Sequence, residues 1–425
     1  MENLIQLAIS LAAIILLARL ATLLSSRLGV SAITVQLVIG VLLGPSLFNL
    51  LGGAIVIGTW GSVSPNPLHS ILKILAEIGL IQLMFLAGLR TDWCQMKTVF
   101  KSILSVGTWG FILSAAGTAL LSQFFVHRWP EALAVGAIMG TSSLGISVHN
   151  LSEMKFSKSG TSNVIAGSSA VAGVLAILLM IASLSANYAA SFGTFRMTIA
   201  VSWFMGKLIM FFAITYFLTS RFLSRGAKSF EKRPRQMLIG YLLLVAALYA
   251  WGALHFGSFA AVGVASLGGA LVAMSNVGLR EKIAEGFGAG LPSLAIGIFF
   301  IVLGMGVNLK EVKSYGIFLA LLFITVIAAK AIGCRVGLRE GLDASWERRL
   351  ILVGTLPQGE MGILIAAYLF SRGLVNPSVF GPCIAVVIVL TMLSASLSRI
   401  VFQGDRLRGQ DVTPGKKNST QTALH

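Results

Sequence analysis

Charge is scarce in this chain, and acidic charge scarcest: 15 Asp and Glu stand against 32 Lys and Arg in 425 residues, and only 11% of positions are charged. So few charges cannot cover a soluble domain of this size. A composition that is 56% hydrophobic, with a mean hydropathy of +0.88, suits a chain that faces lipid. Cysteine is scarcer still. Cys94, Cys334 and Cys383 have neither paired spacing nor a histidine cluster nearby, which excludes a disulfide framework and the usual zinc patterns. The five histidines fall mainly in loops or near the ends of apolar runs, and no Ser/His/Asp or metal constellation shares a face. An enzyme is therefore not expected, and no cofactor is implied.

What the chain does have is long apolar runs. Windows of roughly twenty apolar residues recur about thirteen times. They predict an all-α polytopic membrane protein, with its fifth span near Glu131 to Asn150, sixth near Ser162 to Ser183, eleventh near Ser314 to Ile332 and twelfth near Leu350 to Phe370. The first span lacks a basic leader and a small-residue cleavage site, so it reads as a retained helix. Lys and Arg gather in alternate loops, which places the N-terminus outside the cell membrane and the C-terminus in the cytoplasm. The same loops account for the net charge of +17 without a nucleic-acid partner.

The basic loop at 221–236 divides a first helix group, 1–220, from a second, 237–402, and the polar residues 403–425 read as a disordered tail with no soluble domain expected after the membrane part. The third span ends on Phe85-Leu86-Ala87-Gly88-Leu89 and the tenth carries Phe299-Phe300 and Gly304-Met305, both closing on polar residues. Spans seven apart cross a bilayer in opposite directions, the arrangement of an inverted repeat.

Ionisable groups inside spans are few, and each costs a few kcal/mol at the bilayer centre, so each needs a reason. Lys73 and Glu77 stand four apart and can pair. Lys207 has no evident partner. Lys330 lies toward the end of the eleventh span and Glu360 in the middle of the twelfth, beside Gly354, Pro357, Gly359 and Gly362. That punctuation predicts an interrupted helix, which a membrane tolerates only where freed backbone groups meet polar partners or a cavity. The fifth span has a matching break at Gly140-Thr141-Ser142-Ser143-Leu144-Gly145. Two such breaks are the best pointer to a transporter's substrate site.

Leu42-Leu43-Gly44-Pro45, Leu75-Ala76-Glu77-Ile78-Gly79-Leu80, the Phe85 to Leu89 run, Phe299-Phe300, Lys330 before Gly333 and Leu356-Pro357-Gln358-Gly359-Glu360 together resemble the monovalent cation:proton antiporter-2 family. The resemblance runs from about Leu11 to Ile400. It implies about thirteen helices, usually a homodimer, in which two crossed discontinuous helices belong to a core that moves against a dimerisation domain. The family's ion-carrying acids would fall on Ala172 and Gly173, its lysine on Lys330 and its glutamate on Glu360. Arg90 and Asn308 stand where the family has acids, Gln358 where it has arginine, and His149 where it has a base. His149, at a helix end, reads as a solvated surface residue.

The departures leave Lys330 without its usual counter-ion and make Lys330 and Glu360 the expected titrating pair, within about 4 to 6 Å of each other. The expected reading is a sodium- or potassium-for-proton antiporter-like carrier in the lipid bilayer, with Thr141, Ser142, Ser143, Ser168, Ser169 and Gln358 lining the path. Two alternatives remain. One is a carrier turned to an anion, since the acids are gone and Lys330 is kept. The other is a non-transporting sensor or scaffold.

Overall fold

The computed structural model describes residues 2–28, 31–45, 67–90, 95–154, 159–192, 291–306, 315–338 and 345–407, save one or two within these stretches, and a few isolated positions elsewhere. Nearly all of the expected seventh, eighth and ninth spans and of the basic loop at 221–236, with Lys207, Asn308, Cys94 and the tail beyond Leu407, lie outside the described residues. Among the described residues every regular element is a helix. Seven helical segments among the described residues are long and apolar enough to cross a membrane, and three shorter apolar helices accompany them.

Taken in order, the described helices are α1 (Glu2–Leu28), α2 (Ala32–Leu43), α3 (Pro67–Arg90), α4 (Phe100–Val126), α5 (Trp129–Gly140), α6 (Leu144–Glu153), α7 (Gly160–Phe192), α8 (Leu291–Met305), α9 (Gly316–Gly337), α10 (Ser345–Thr355), α11 (Gly359–Ser371) and α12 (Pro377–Leu407). The fifth and twelfth expected spans are each two half-helices, broken where the Gly, Pro and Ser punctuation placed the breaks. Lys330 lies further inside its helix than expected, because α9 continues to Gly337. Helix α12 runs five residues into the segment read as tail.

The helices pack in two groups. In one, α1, α2 and α3 gather on α8. In the other, α4 lies against α5, α7 and α9, while α10, α11 and α12 close the far side. The groups meet along a seam where α3 touches α6 and α2 touches α12. Lipid gives helices no hydrophobic reason to associate, so small residues and close backbone approach must do it. At the α2–α8 crossing a Cβ on Gly40 would lie 2.0 Å from the Ile301 carbonyl oxygen, and one on Gly304 would lie 2.4 Å from that of Leu37. Any side chain at either position drives the two backbones apart.

Local chemistry explains the breaks. Helix α5 begins with Pro130 in its first turn, where a missing N–H costs nothing. It ends at Thr141-Ser142-Ser143, whose hydroxyls offer the backbone other partners. Ser143 caps α6 by accepting from the Ile146 N–H at 3.0 Å. On the other strand of the crossover, Pro357 cannot donate, and it disfavours helical backbone at Leu356. Gly359 then turns the chain at a φ of +42°, a left-handed conformation that glycine adopts without strain. The two breaks bond to each other directly, Ser143 N–H to Pro357 O at 2.6 Å.

Candidate functional site at the helix crossover

Four half-helix ends converge at the crossover, and each leaves backbone groups without helical partners. The C-terminal ends of α5 and α10 present carbonyls, and Lys330 meets both. Its Nζ donates to Thr141 O at 2.6 Å, Thr355 O at 2.8 Å and Ser142 Oγ at 2.9 Å, with Leu356 O at 3.4 Å. An ammonium has three protons, so these oxygens saturate it. They also stand at the negative ends of two helix dipoles, which favour a cation. Neighbouring hydroxyls hold the same carbonyl row in place: Ser142 Oγ donates to Thr355 O at 2.7 Å, Ser147 Oγ lies 2.7 Å from Gly354 O, and Ser394 Oγ donates to Val353 O at 2.6 Å.

Glu360 does the converse. It sits in the first turn of α11, and its carboxylate accepts from the Gly145 N–H at 3.0 Å and from Ser143 Oγ, both at the start of α6. Two positive helix ends thus face one buried carboxylate. Lys330 is 3% exposed and Glu360 1%. At that depth a charge without such partners costs several kcal/mol.

Lys330 and Glu360 are not bonded to each other. No hydrogen bond or ion pair within 4.0 Å joins them. The reason is physical: each charge is already taken up by helix ends of opposite polarity. Gln358 also serves an end, donating from Nε2 to Met139 O near the last turn of α5.

A cavity of about 10 Å³, the space of one water molecule, lies beside Lys330 and is lined in part by Ser142, Ser168, Ala172, Cys334 and Thr355. Ala172 and Lys330 thus line the same cavity. Gly173 does not line this cavity; a Cβ there would lie 3.2 Å from Met361 Cε on α11. Ser168 Oγ bonds back to Val164 O at 2.6 Å, while Ser169 keeps a buried Oγ with no partner. The structure thus gathers Thr141, Ser142, Ser168 and Ala172 around Lys330 and puts Ser143 on Glu360, while Ser169 and Gly173 do not line the cavity. No group of three or more His, Cys, Asp or Glu side chains that could hold a metal occurs among the described residues.

Against this geometry stands a family comparison: the model described as the transmembrane sodium/hydrogen exchanger matches residues 12–403. The chain belongs to the sodium/hydrogen exchanger family. Among relatives in the family, the Na(+)/H(+)-K(+) antiporter GerN of Bacillus cereus is 24% identical over 92% of this chain and 95% of its own length. The Na(+)/H(+) antiporter of Enterococcus hirae is 24% identical over 87% of this chain and 91% of its own. The solved structure of the sodium proton antiporter MjNhaP1 from Methanocaldococcus jannaschii superposes with a TM-score of 0.68 at 16% identity, covering 96% of this chain and 99% of that one. This exchanger-family chain therefore shares the fold of that protein across nearly its whole length.

Other residues at the site escaped the sequence reading. Thr355, Leu356 and Gly145 act through backbone atoms, which any side chain would supply. Ser147 and Ser394 carry a faint signal, as hydroxyls inside apolar runs. His149 corrects an expectation: it is half-buried, its Nε2 lies 3.5 Å from Glu153 Oε1, and its ring packs 6.4 Å from that of Phe300. The seam between the two helix groups covers it.

Proposed function

We propose that this chain exchanges a monovalent cation, Na⁺ or K⁺, for protons, with Lys330 as the proton-carrying group of a site that lacks the family's acid. The supporting observation is the set of oxygens around Lys330 Nζ, three carbonyls and one hydroxyl with no carboxylate among them. Carbonyl and hydroxyl oxygens are also ligands for a dehydrated alkali cation. A cation entering this cage takes the oxygens from the ammonium. Lys330 then gives its third proton to water and remains as a neutral amine, so one positive charge replaces another. Glu360 stays on the start of α6 and keeps the crossover assembled during the exchange.

In this reading Ala172 and Gly173 stand at the antiporter-2 family's acid positions. Ala172 supports it by lining the Lys330 cavity. The chain lies in the cell membrane with its N-terminus outside, helix groups 1–220 and 237–402 form the two halves of the repeat, and the molecule is a homodimer. An anion carrier is disfavoured, since Lys330 has no donor left for an anion. A non-transporting sensor is the second reading, favoured by the absence of a carboxylate beside Lys330.

The test is flux in proteoliposomes under imposed Na⁺, K⁺ and pH gradients. The wild-type chain moves Na⁺ or K⁺ against a pH gradient, and Lys330→Met abolishes that coupling. Absence of flux under every gradient would establish the sensor reading, and coupled flux that survives Lys330→Met would remove Lys330 from the mechanism.

A further inference from the structure

The oxygens around Lys330 carry information about size as well as charge. Nζ lies 2.6 Å from Thr141 O, 2.8 Å from Thr355 O and 2.9 Å from Ser142 Oγ. An ammonium group and a potassium ion are nearly equal in radius, so potassium can take these contacts as they stand. Sodium is smaller and needs the same oxygens drawn closer around it.

The cage resists that contraction. Thr141 O lies at the end of α5 and Thr355 O at the end of α10, so closing the cage moves one half-helix against another. Two bonds fix their spacing: Ser142 Oγ donates to Thr355 O at 2.7 Å, and the Ser143 N–H donates to Pro357 O at 2.6 Å. Gln358 Nε2 reaches across to Met139 O, and Ser394 Oγ on α12 holds Val353 O at 2.6 Å. Oxygens held in this way keep their separation when the occupant changes.

Ligand strength points the same way. Sodium is the more strongly hydrated of the two ions, so it demands stronger ligands in place of its water. A carboxylate is such a ligand, and carbonyls and hydroxyls attract a cation more weakly. The adjoining cavity is lined by Ser168, Ala172 and Cys334 together with apolar Val106 and Phe111, and no carboxylate lines it. Ser142 Oγ gives its proton to Thr355 O, which leaves its lone pairs for the occupant. This neutral shell suits the ion that loses its water more easily.

We propose that the crossover cage selects potassium-sized monovalent cations, K⁺ and Rb⁺, over Na⁺ and Li⁺. The selectivity rests on the exchange reading above and narrows its substrate.

The test is the melting temperature of the purified full chain in detergent at alkaline pH, where fewer protons compete for Lys330. KCl, RbCl, NaCl and LiCl are titrated separately, with choline chloride keeping the ionic strength constant. A cation that binds the folded chain raises the melting temperature once its concentration passes its dissociation constant. K⁺ and Rb⁺ are expected to act at concentrations about tenfold below those needed for Na⁺. Na⁺ acting at an equal or lower concentration would overturn the selectivity and leave the exchange reading standing. No rise with any of the four cations would overturn both. Ser142→Ala removes one oxygen of the cage and is expected to weaken the K⁺ response; an unchanged response would place the ion elsewhere and overturn the proposal. Ala172→Asp adds a carboxylate to the cavity and is expected to bring Na⁺ to parity with K⁺, and an unchanged ratio would contradict the argument from ligand strength. The wild-type titration needs no substitution, so it decides even where a variant fails to fold.

Discussion

Lys330 and Glu360 meet helix ends and never each other, whereas Glu153, at the end of α6, is surrounded by side chains of opposite sign. Its carboxylate accepts from Arg399 at 2.8 Å and from Ser31 Oγ at 3.3 Å, with His149 Nε2 at 3.5 Å and Arg90 within electrostatic reach. The two regions solve the same problem, a charge held away from bulk water, by different means. At the crossover the compensating charge is in the backbone, fixed wherever the helices end. At the seam it is carried by side chains from α3, α6 and α12 with the cap of α2, and side chains can let go. The backbone cage is built of oxygens that could equally ligate a free alkali cation, as the proposed exchange requires. At the seam the side-chain cluster joins the two helix groups through Ser31 and Arg90, while Arg399 binds Glu153 from within its own group.

Removing the ammonium tests the contrast most severely. Lys330→Met leaves buried carbonyls of two helix ends facing an apolar chain. A loss of about 3–5 kcal/mol, the cost of breaking a buried charged contact, is expected in thermal unfolding. Glu360→Gln comes next. It keeps the shape but weakens the bonds to Ser143 and Gly145, and a loss of about 2 kcal/mol with a roughly tenfold drop in coupled flux is expected from melting and liposome assays. Ala172→Asp converts the crossover to the seam's kind of compensation by placing a carboxylate in the Lys330 cavity. Cation titration of flux should show a KM lowered about tenfold, the effect of some 1.4 kcal/mol of added ligation. Gly173→Asp, facing Met361 instead, should leave KM unchanged; equal effects at both positions would contradict the assignment of faces.

Smaller effects belong to the seam. Glu153→Gln removes the Arg399 pair and should cost about 1–2 kcal/mol, less at high salt because the cluster is partly exposed. Its melting curve in low and high salt checks this. If Glu153→Gln instead destabilised as strongly as Lys330→Met, the distinction between fixed and releasable compensation would collapse.

The fold was legible because membrane solvation leaves few options. Apolar runs must be helices, and Gly, Pro and clustered Ser interrupt them where the structure shows breaks. The crossover's polar residues were legible for the same reason, as Thr141 to Ser143, Lys330, Gln358 and Glu360 stand out in apolar surroundings. Their partners were not, since a carbonyl at the end of α10 looks the same in sequence as any other. That Lys330 and Glu360 each bond to helix ends could not be read from their opposite charges. Arg90 and His149 appeared as separate departures from a family pattern. Only the folded chain shows them gathered around Glu153, because nothing in the sequence says that the ends of α3 and α6 meet.

The 2.6 Å backbone bond from Ser143 to Pro357 ties both interruptions at one point. With the Ser142–Thr355 and Gln358–Met139 bonds beside it, the four half-helices are joined to one another at their broken ends. A crossover knotted in this way is one piece: a shift of any one half-helix would strain the bonds of the others.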